Sequence, residues 1–212
     1  MRGYEKLVVR DILYIIFGYL CGSILFARVF GQVLYDRDVT EDGADRNPGT
    51  FNAFKCGGIL CGVLTLICDI AKGIVPVYLY ISGVEDGDFG LALTFVIAAP
   101  VLGHIFPVFY HFKGGKGIAV SFGTLLGLFP MMMPVLILAA TFIFFSLVVK
   151  ISPHYYRTIA SFSSASILIL IFAGCPLAVT VGFLISSVAV NTKLFHSTEE
   201  KESLEVKLAW KH

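Results

Sequence analysis

Residues 103–117 read GHIFPVFYHFKGGKG, a basic, glycine-rich stretch that joins two strongly apolar segments of the chain. Glycine has no side chain, so successive backbone N–H groups can approach an anion closely, while Lys113 and Lys116 supply positive charge. A helix that begins at Ile118 would add the positive end of its dipole. The stretch therefore predicts that a phosphorylated molecule binds at the edge of a membrane-embedded bundle.

A plainer explanation of this stretch is that Lys113 and Lys116 fix the orientation of the flanking segments and that the glycines form a turn. The stretch is not the P-loop of nucleoside-triphosphate enzymes. Gly117 stands where that motif needs Ser or Thr, and Tyr110 stands where it needs its first glycine. The phosphate hypothesis therefore depends on other motifs in the chain.

The composition is that of an integral membrane protein. Of the 212 residues, 57% are hydrophobic and 15% are charged, whereas soluble domains carry about 25% charged residues. A helix needs roughly 20 apolar residues to cross a bilayer. We therefore predict an all-α integral membrane protein, a compact bundle of about seven transmembrane helices, some of them short. The apolar segments are 12–34, 59–82, 89–109, 118–129, 131–149, 159–173 and 177–190.

Lysine and arginine occur in alternate connections of this bundle, which predicts its orientation. They lie in loops 35–58, 111–117 and 150–158 and in the tail 191–212, and they are absent from 84–88 and 174–176. The basic loops and the tail are therefore expected on the cytoplasmic face of one membrane domain, residues 1–212. The basic N-terminus, with Arg2 and Lys6, does not fit this alternation. Residues 197–212 are predicted to form a short amphipathic surface helix or a frayed end.

Charge and cysteine patterns argue against two kinds of partner. The formal net charge is +1 and no concentrated basic face is visible, which argues against nucleic-acid binding. The five cysteines lie mostly in or beside apolar segments and show no metal-ligand spacing with histidine. We therefore predict no metal site and no cofactor.

A polar loop after the first apolar segment offers more hydrogen-bonding groups. Asn47 and Asn52 can donate to a phosphate and accept from a hydroxyl, and Gly49 lies in a strong turn sequence. Arg46 or Lys55 can neutralise an anion. The alternative is a solvated turn in which the asparagines bind their own backbone.

Ionisable residues inside the apolar segments indicate a polar interior. Asp69 and Lys72 stand at positions i and i+3 of one segment, so they can pair on one helix face. A structural ion pair is favoured over a catalytic role. His104, late in the third segment, is either a general base or a hydrogen-bonded core histidine, and the sequence leaves both open.

Four motifs together resemble the bacterial membrane family of glycerol-3-phosphate acyltransferases that take the acyl chain from acyl-phosphate. They are GYLCGSI at 18–24, NPGTFN at 47–52, DIAKG at 69–73 and the stretch 103–117, which is the most specific match. The resemblance implies transfer of a fatty acyl group from acyl-phosphate to glycerol-3-phosphate, giving lysophosphatidic acid in phospholipid synthesis. It also implies contact with membrane lipids in the inner or plasma membrane of a bacterium, with a cytoplasmic active face.

The resemblance also implies which residues bind the substrates. The phosphate of acyl-phosphate would be held by Lys113, Gly114, Gly115, Lys116 and Gly117. Glycerol-3-phosphate would contact Asn47, Gly49 and Asn52. We expect Arg46 and Lys55 to supply the cations at its phosphate.

Two motifs depart from the family pattern. Where the family has G-S-G-N, residues 43–47 read GADRN and lack the serine, and residues 191–196 replace the C-terminal H-R-x-N-I motif. No catalytic residue is therefore assigned, and the base is left open between His104, His196 and the acceptor's own phosphate. The alternative is an altered or inactive member that binds phosphorylated lipid or a different acceptor. A small transporter, suggested by Asp69 and Lys72, is less favoured.

Overall fold

The computed structural model describes residues 2–38, 40, 43, 46–84, 89–197 and 203–209, with side chains from residue 8 onwards. Eight α-helices make up most of this part of the chain. They are α1 (Arg2–Gly22), α2 (Phe26–Tyr35), α3 (Thr50–Ser82), α4 (Ala92–Ile105), α5 (Ile118–Leu126), α6 (Met133–Ile143), α7 (His154–Phe172) and α8 (Leu177–Phe195). A short 3₁₀ helix covers Val108–Tyr110, and a π-helical turn, Phe144–Val148, follows α6.

Helix length and composition confirm a multi-pass, helical membrane protein. Four helices of the described residues are long and apolar enough to span a bilayer: Thr50–Ser82, Ala92–Tyr110, His154–Phe172 and Leu177–Phe195. The α1–α2 pair, bent by 42°, is a fifth candidate if the two helices form one span. The other apolar helices, α5 and the helix Met133–Val148, are shorter, in line with the prediction that some of the helices are short. Helix α5, for example, has nine residues, about 14 Å, against a hydrocarbon core of about 30 Å.

Helix α4 lies at the centre of the bundle and packs against α1, α3, α5 and α8. Glycines let the helix backbones approach closely, as is usual in membrane bundles. A Cβ on Gly22 of α1 would collide with the carbonyl of Pro100 in α4, and one on Gly123 of α5 would collide with the carbonyl of Ile70 in α3. These contacts hold α1 close to α4 and α5 close to α3.

A two-stranded antiparallel sheet joins the tail to the segment before α7. Strand β1 is Val149–Ser152 and β2 is Glu205–Leu208, with Ile151 opposite Val206. The prediction of a surface helix or frayed end is therefore wrong for residues 205–208, whose alternating polar and apolar side chains fit the two-residue period of a strand. The predicted loop 150–158 likewise begins as β1 and continues as the first turn of α7.

Candidate active site

The glycine stretch folds back along the end of α4. Gly114 donates its backbone N–H to the carbonyl of Ile105 (3.2 Å), and Gly115 donates to the carbonyl of His104 (3.0 Å). A Cβ on Gly114 would collide with the His104 carbonyl oxygen, and one on Gly115 would collide with His104 Nε2. Glycine is therefore required at both positions by the close approach of the loop to α4.

The amides best placed to reach an anion lie where α5 begins. Those of Gly114 and Gly115 are used inside the loop, whereas the first N–H groups of a helix have no acceptor within it. Gly117 has φ 81°, a left-handed conformation that favours glycine, and turns the chain into α5. The positive end of α5 thus lies next to Lys116.

The break between α1 and α2 supports the same loop from the other side. The Tyr19 hydroxyl donates to the carbonyl of Phe106 (2.6 Å), and Ser23 Oγ accepts from the backbone N–H of Val108 (3.3 Å). The GYLCGSI motif at 18–24 therefore holds the chain that leads into the glycine stretch.

Asp69, Lys72 and His104 form a buried cluster under the loop. Lys72 Nζ lies 2.8 Å from Asp69 Oδ1 and 2.9 Å from His104 Nδ1, and it donates to the carbonyl of Ile24 at 2.5 Å. Asp69 is 1% exposed, Lys72 is 6% exposed and His104 is 3% exposed. The predicted ion pair of Asp69 and Lys72 is confirmed, and it extends to the histidine.

Two cavities adjoin the loop, and the first, which we call the apolar cavity, has a volume of about 500 Å³. Its polar lining comes from the NPGTFN segment at 47–52, which we call the asparagine loop, and from the buried cluster, Lys116 and the start of α7. Its apolar lining comes from α3, α5 and α6. The lining residues are Asn47, Gly49, Thr50, Phe51, Asn52, Leu66, Asp69, Ile70, His104, Lys116, Gly117, Ile118, Ala119, Phe122, Phe142, His154, Arg157 and Thr158.

An aromatic stack closes one side of the apolar cavity. The rings of Phe122 and Phe142 line it with centroids 5.7 Å apart, and Phe142 packs edge-on against Phe162 at 5.9 Å. Phe162 and the next ring, Phe183, are fully buried. Each ring of this wall thus packs against the one behind it.

The second cavity, which we call the basic cavity, has a volume of about 440 Å³. It is lined by Arg28, Thr40, Arg46, Asn47, Pro48, Lys113, Gly114, Lys116, Lys193, His196 and Ser197. Arg28 is paired with Asp38, with Nε 3.3 Å from Oδ2. Five lysines and arginines around one cavity suit a ligand with two negative charges. Within the described residues, no three His, Cys, Asp or Glu side chains are grouped as a metal site.

Asn47 and Lys116 line both cavities and so form a shared wall. Asn52 Nδ2 donates to the Asn47 carbonyl (2.9 Å), which fixes the asparagine loop. Lys116 Nζ lies 3.4 Å from His154 Nε2, and the His154 ring stacks on Phe51 with centroids 5.9 Å apart. The wall therefore joins the asparagine loop, the glycine loop and the start of α7.

The structure brings most of the sequence-predicted site residues together. Asn47, Gly49, Asn52, Lys113, Gly114, Lys116 and Gly117 each line one or both cavities. Gly115 lies behind the lining, buried against the His104 ring. Lys55 is exposed on the first turns of α3 and lies outside both linings, whereas Arg46 lies in the basic cavity.

Sequence reasoning missed four basic residues of these linings. From the sequence alone Arg28 resembles a side chain that reaches from an apolar segment to the membrane surface, and His154 has no motif around it. Arg157 and Lys193 were counted only as orientation signals. All four reach the cavities from elements distant in sequence, so only the packing of α2, α7 and α8 reveals them. The one usable signal was for Lys193, which lies within the altered C-terminal motif.

Curated relatives match part of the chain. A glycerol-3-phosphate acyltransferase of Proteus mirabilis (strain HI4320) is 45% identical over 112 residues, which is 52% of this chain and 49% of the relative. One from Endomicrobium trichonymphae is 39% identical over 135 residues, 63% of this chain and 66% of the relative. The aligned part is thus about half to two thirds of the length of the curated relatives it matches.

Solved structures match more of the chain. PlsY, an integral membrane glycerol 3-phosphate acyltransferase, in its glycerol 3-phosphate form is 29% identical with a TM-score of 0.72. Its lysophosphatidic acid form is 28% identical with a TM-score of 0.69. Each alignment covers 86% of this chain and 87% of PlsY. The family model for glycerol-3-phosphate acyltransferase matches residues 12–201, and the chain therefore belongs to that family.

Proposed function

We propose that the protein transfers a fatty acyl group from acyl-phosphate to glycerol-3-phosphate and so makes lysophosphatidic acid for phospholipid synthesis. The observation that carries this proposal is the meeting of an apolar and a basic cavity at Asn47 and Lys116. An acyl donor needs both an apolar site and an anion site, and a small phosphorylated acceptor needs only the latter. The PlsY structures in glycerol 3-phosphate and lysophosphatidic acid forms support the same assignment.

The acyl donor fits the apolar cavity. Its chain would pack against Leu66, Ile70 and the aromatic stack, and its phosphate would face Lys116 and the start of α5. The ammonium and the helix dipole then stabilise charge that grows on the phosphate as it leaves.

The acceptor fits the basic cavity. Arg28, Arg46, Lys113 and Lys193 surround space large enough for glycerol-3-phosphate, and Asn47 at the shared wall can hold a hydroxyl towards the donor. These cations come from four separate elements of the chain, so the bundle itself orients the acceptor.

The reaction needs no covalent enzyme intermediate. The acceptor hydroxyl oxygen attacks the acyl carbonyl carbon, the bond from that carbon to the phosphate oxygen breaks, and phosphate leaves with the electron pair. We place the hydroxyl proton on a phosphate oxygen of the substrates, since a phosphate with a second pKa near 6 can accept it. Lys116 serves the step by holding both phosphates near each other.

Turnover by the purified protein tests the proposal. Protein in detergent is given acyl-phosphate and glycerol-3-phosphate, and lysophosphatidic acid and free phosphate are measured in equal amounts if the proposal is right. Donor binding without product would instead support a family member with altered or lost activity. Accumulation of glycerol-3-phosphate inside protein-containing vesicles, without product, would support a transporter.

Replacement of Arg46 by glutamine is expected to raise the KM for glycerol-3-phosphate about 10- to 100-fold, because one charge-assisted hydrogen bond contributes about 1.5–3 kcal/mol. The KM for acyl-phosphate should change little, since Arg46 lines only the basic cavity. Initial rates with each substrate varied in turn measure both values. Lys55→Gln is the matched control and should leave both KM values unchanged, because Lys55 is exposed outside the cavities.

The shared wall also requires one orientation in the membrane. We propose one membrane domain, residues 1–212, in the inner or plasma membrane of a bacterium, with the cavities on the cytoplasmic face. In a background without the five native cysteines, Lys55→Cys and Lys113→Cys should label from the same side, and Gly90→Cys from the other. Labelling of positions 55 and 113 from opposite sides would rule out the shared site.

The aromatic stack predicts a limit on donor chain length. Phe142→Ala removes a ring from the wall, so longer acyl-phosphates should gain in relative kcat/KM by about fourfold for each additional methylene that the cavity admits. A series of donors from ten to about eighteen carbons measures the profile. Phe144→Ala is the control, because Phe144 is 46% exposed and lies outside this cavity. An identical profile in all three proteins would place the acyl chain elsewhere.

A further inference from the structure

Lys72 lies at the centre of the buried cluster, where it pairs with Asp69 and hydrogen-bonds to the Ile24 carbonyl and His104. An ammonium has three N–H donors and no acceptor. Lys72 Nζ has three acceptors within reach: Asp69 Oδ1 at 2.8 Å, the Ile24 carbonyl at 2.5 Å and His104 Nδ1 at 2.9 Å. Each acceptor belongs to a different part of the cluster, so the ammonium is held in one orientation.

This arrangement assigns the proton on the His104 ring. Since Lys72 can only donate, Nδ1 of His104 must accept, and a neutral imidazole then carries its proton on Nε2. Asp69 Oδ1 is 3.9 Å from Nδ1, too far to compete as a hydrogen-bond partner. A second group that fixes a histidine tautomer in this way is familiar from metal and catalytic sites.

The Nε2 side of the ring faces the loop and the apolar cavity. His104 lines that cavity, is 3% exposed, and lies so close to Gly115 that any side chain there would collide with Nε2. Within the described residues the ring makes its hydrogen bond through Nδ1, which leaves Nε2 for a group in the apolar cavity. Lys116 and Gly117 line the same cavity, so an anion held by the loop lies within the region that Nε2 faces.

We infer that His104 donates a hydrogen bond from Nε2–H to an oxygen of the acyl donor's phosphate and is not the general base. The inference rests on the proposed function, which puts the acyl-phosphate in the apolar cavity. A base at Nε2 would need the ring proton on Nδ1, and this would place two N–H donors face to face at the Lys72 contact. The cluster thus makes His104 a neutral donor beside the cationic Lys116.

The ¹⁵N spectrum of the native protein tests the tautomer without any need for turnover. Histidine-labelled protein in detergent is compared with His104→Gln to assign the ring signals. We expect an unprotonated Nδ1 and a protonated Nε2, and the Nε2 signal should shift when a long-chain acyl phosphonate is added. A proton on Nδ1, or an Nε2 signal that ignores the phosphonate, would overturn the inference. A shift with no turnover would leave it standing while rejecting acyl transfer.

Kinetics separate a donor from a base. A glutamine amide can place an N–H near the position of Nε2 but cannot take up a proton. We therefore expect His104→Gln to keep kcat/KM within about tenfold of the native value and His104→Ala to lose more, in the range of one hydrogen bond to a charged group, about 10- to 150-fold. A loss near 1,000-fold in both variants, with phosphonate binding intact, would indicate a base. His111 lies in the exposed part of the loop, so His111→Gln should change neither kcat/KM nor phosphonate binding.

Discussion

Replacement of Lys116 by alanine is expected to lower kcat/KM for each substrate by about 10- to 150-fold. Its ammonium is the cation common to both linings within the described residues, so its loss removes a charge-assisted contact on each side of the shared wall. Each such contact contributes about 1.5–3 kcal/mol. Initial rates with donor and acceptor varied in turn give the two values, and binding of an acyl phosphonate by calorimetry gives the donor's affinity directly.

Lys113→Ala is the matched control for this prediction. Lys113 is only three residues away, but it is exposed, and it lines the basic cavity and not the apolar cavity. Its replacement should therefore raise the KM for glycerol-3-phosphate and leave phosphonate binding unchanged. If Lys116→Ala folds normally and binds the phosphonate as well as the native protein does, Lys116 is a flanking charge. Its assignment as the cation that binds the donor phosphate is then wrong.

Replacement of Lys72 by methionine is expected to lower the free energy of unfolding by about 3–5 kcal/mol, the usual result when one partner of a buried ion pair is removed. Met fills much of the same volume, so the loss should come from the uncompensated Asp69 carboxylate and the unpaired Ile24 carbonyl. Thermal unfolding in a fixed detergent, followed by circular dichroism, measures the change.

A double variant separates charge from packing. Asp69→Asn together with Lys72→Met removes both charges and should recover most of the lost stability, since neutral replacements of buried pairs are often tolerated. If Lys72→Met alone is as stable as the native protein, the buried ion pair does not contribute to the stability of the fold. If the double variant is as unstable as the single one, the cause is packing and not charge.

Local sequence patterns predicted the loops of the site because their physical requirements are local. The glycines at 114, 115 and 117 are needed where the backbone lies close to α4, and Lys113 and Lys116 stand beside them at the basic cavity. The pairing of Asp69 with Lys72 likewise follows from their i, i+3 spacing in an apolar segment.

Other features depend on tertiary packing and could not be predicted from local patterns. Arg28, Arg157 and Lys193 resemble ordinary flanking charges until α2, α7 and α8 bring them to the cavities. Length alone identifies four or five full-length spans among the described helices, because a run of apolar residues predicts burial but does not distinguish a short helix such as α5 from a complete span. The strand at 205–208 forms only because β1 lies beside it.

Under the proposed function the two substrates meet at Asn47 and Lys116, which line both cavities, so we expect their binding to be thermodynamically linked. Whatever factor a bound donor applies to the acceptor's dissociation constant, the acceptor applies the same factor to the donor's. With one ammonium between two phosphates, like charges face each other across the wall, so we expect each substrate to weaken the other's binding. After acyl transfer the free phosphate and the phosphate of lysophosphatidic acid still face each other, so departure of the free phosphate should relieve the antagonism and open the donor side for the next turnover.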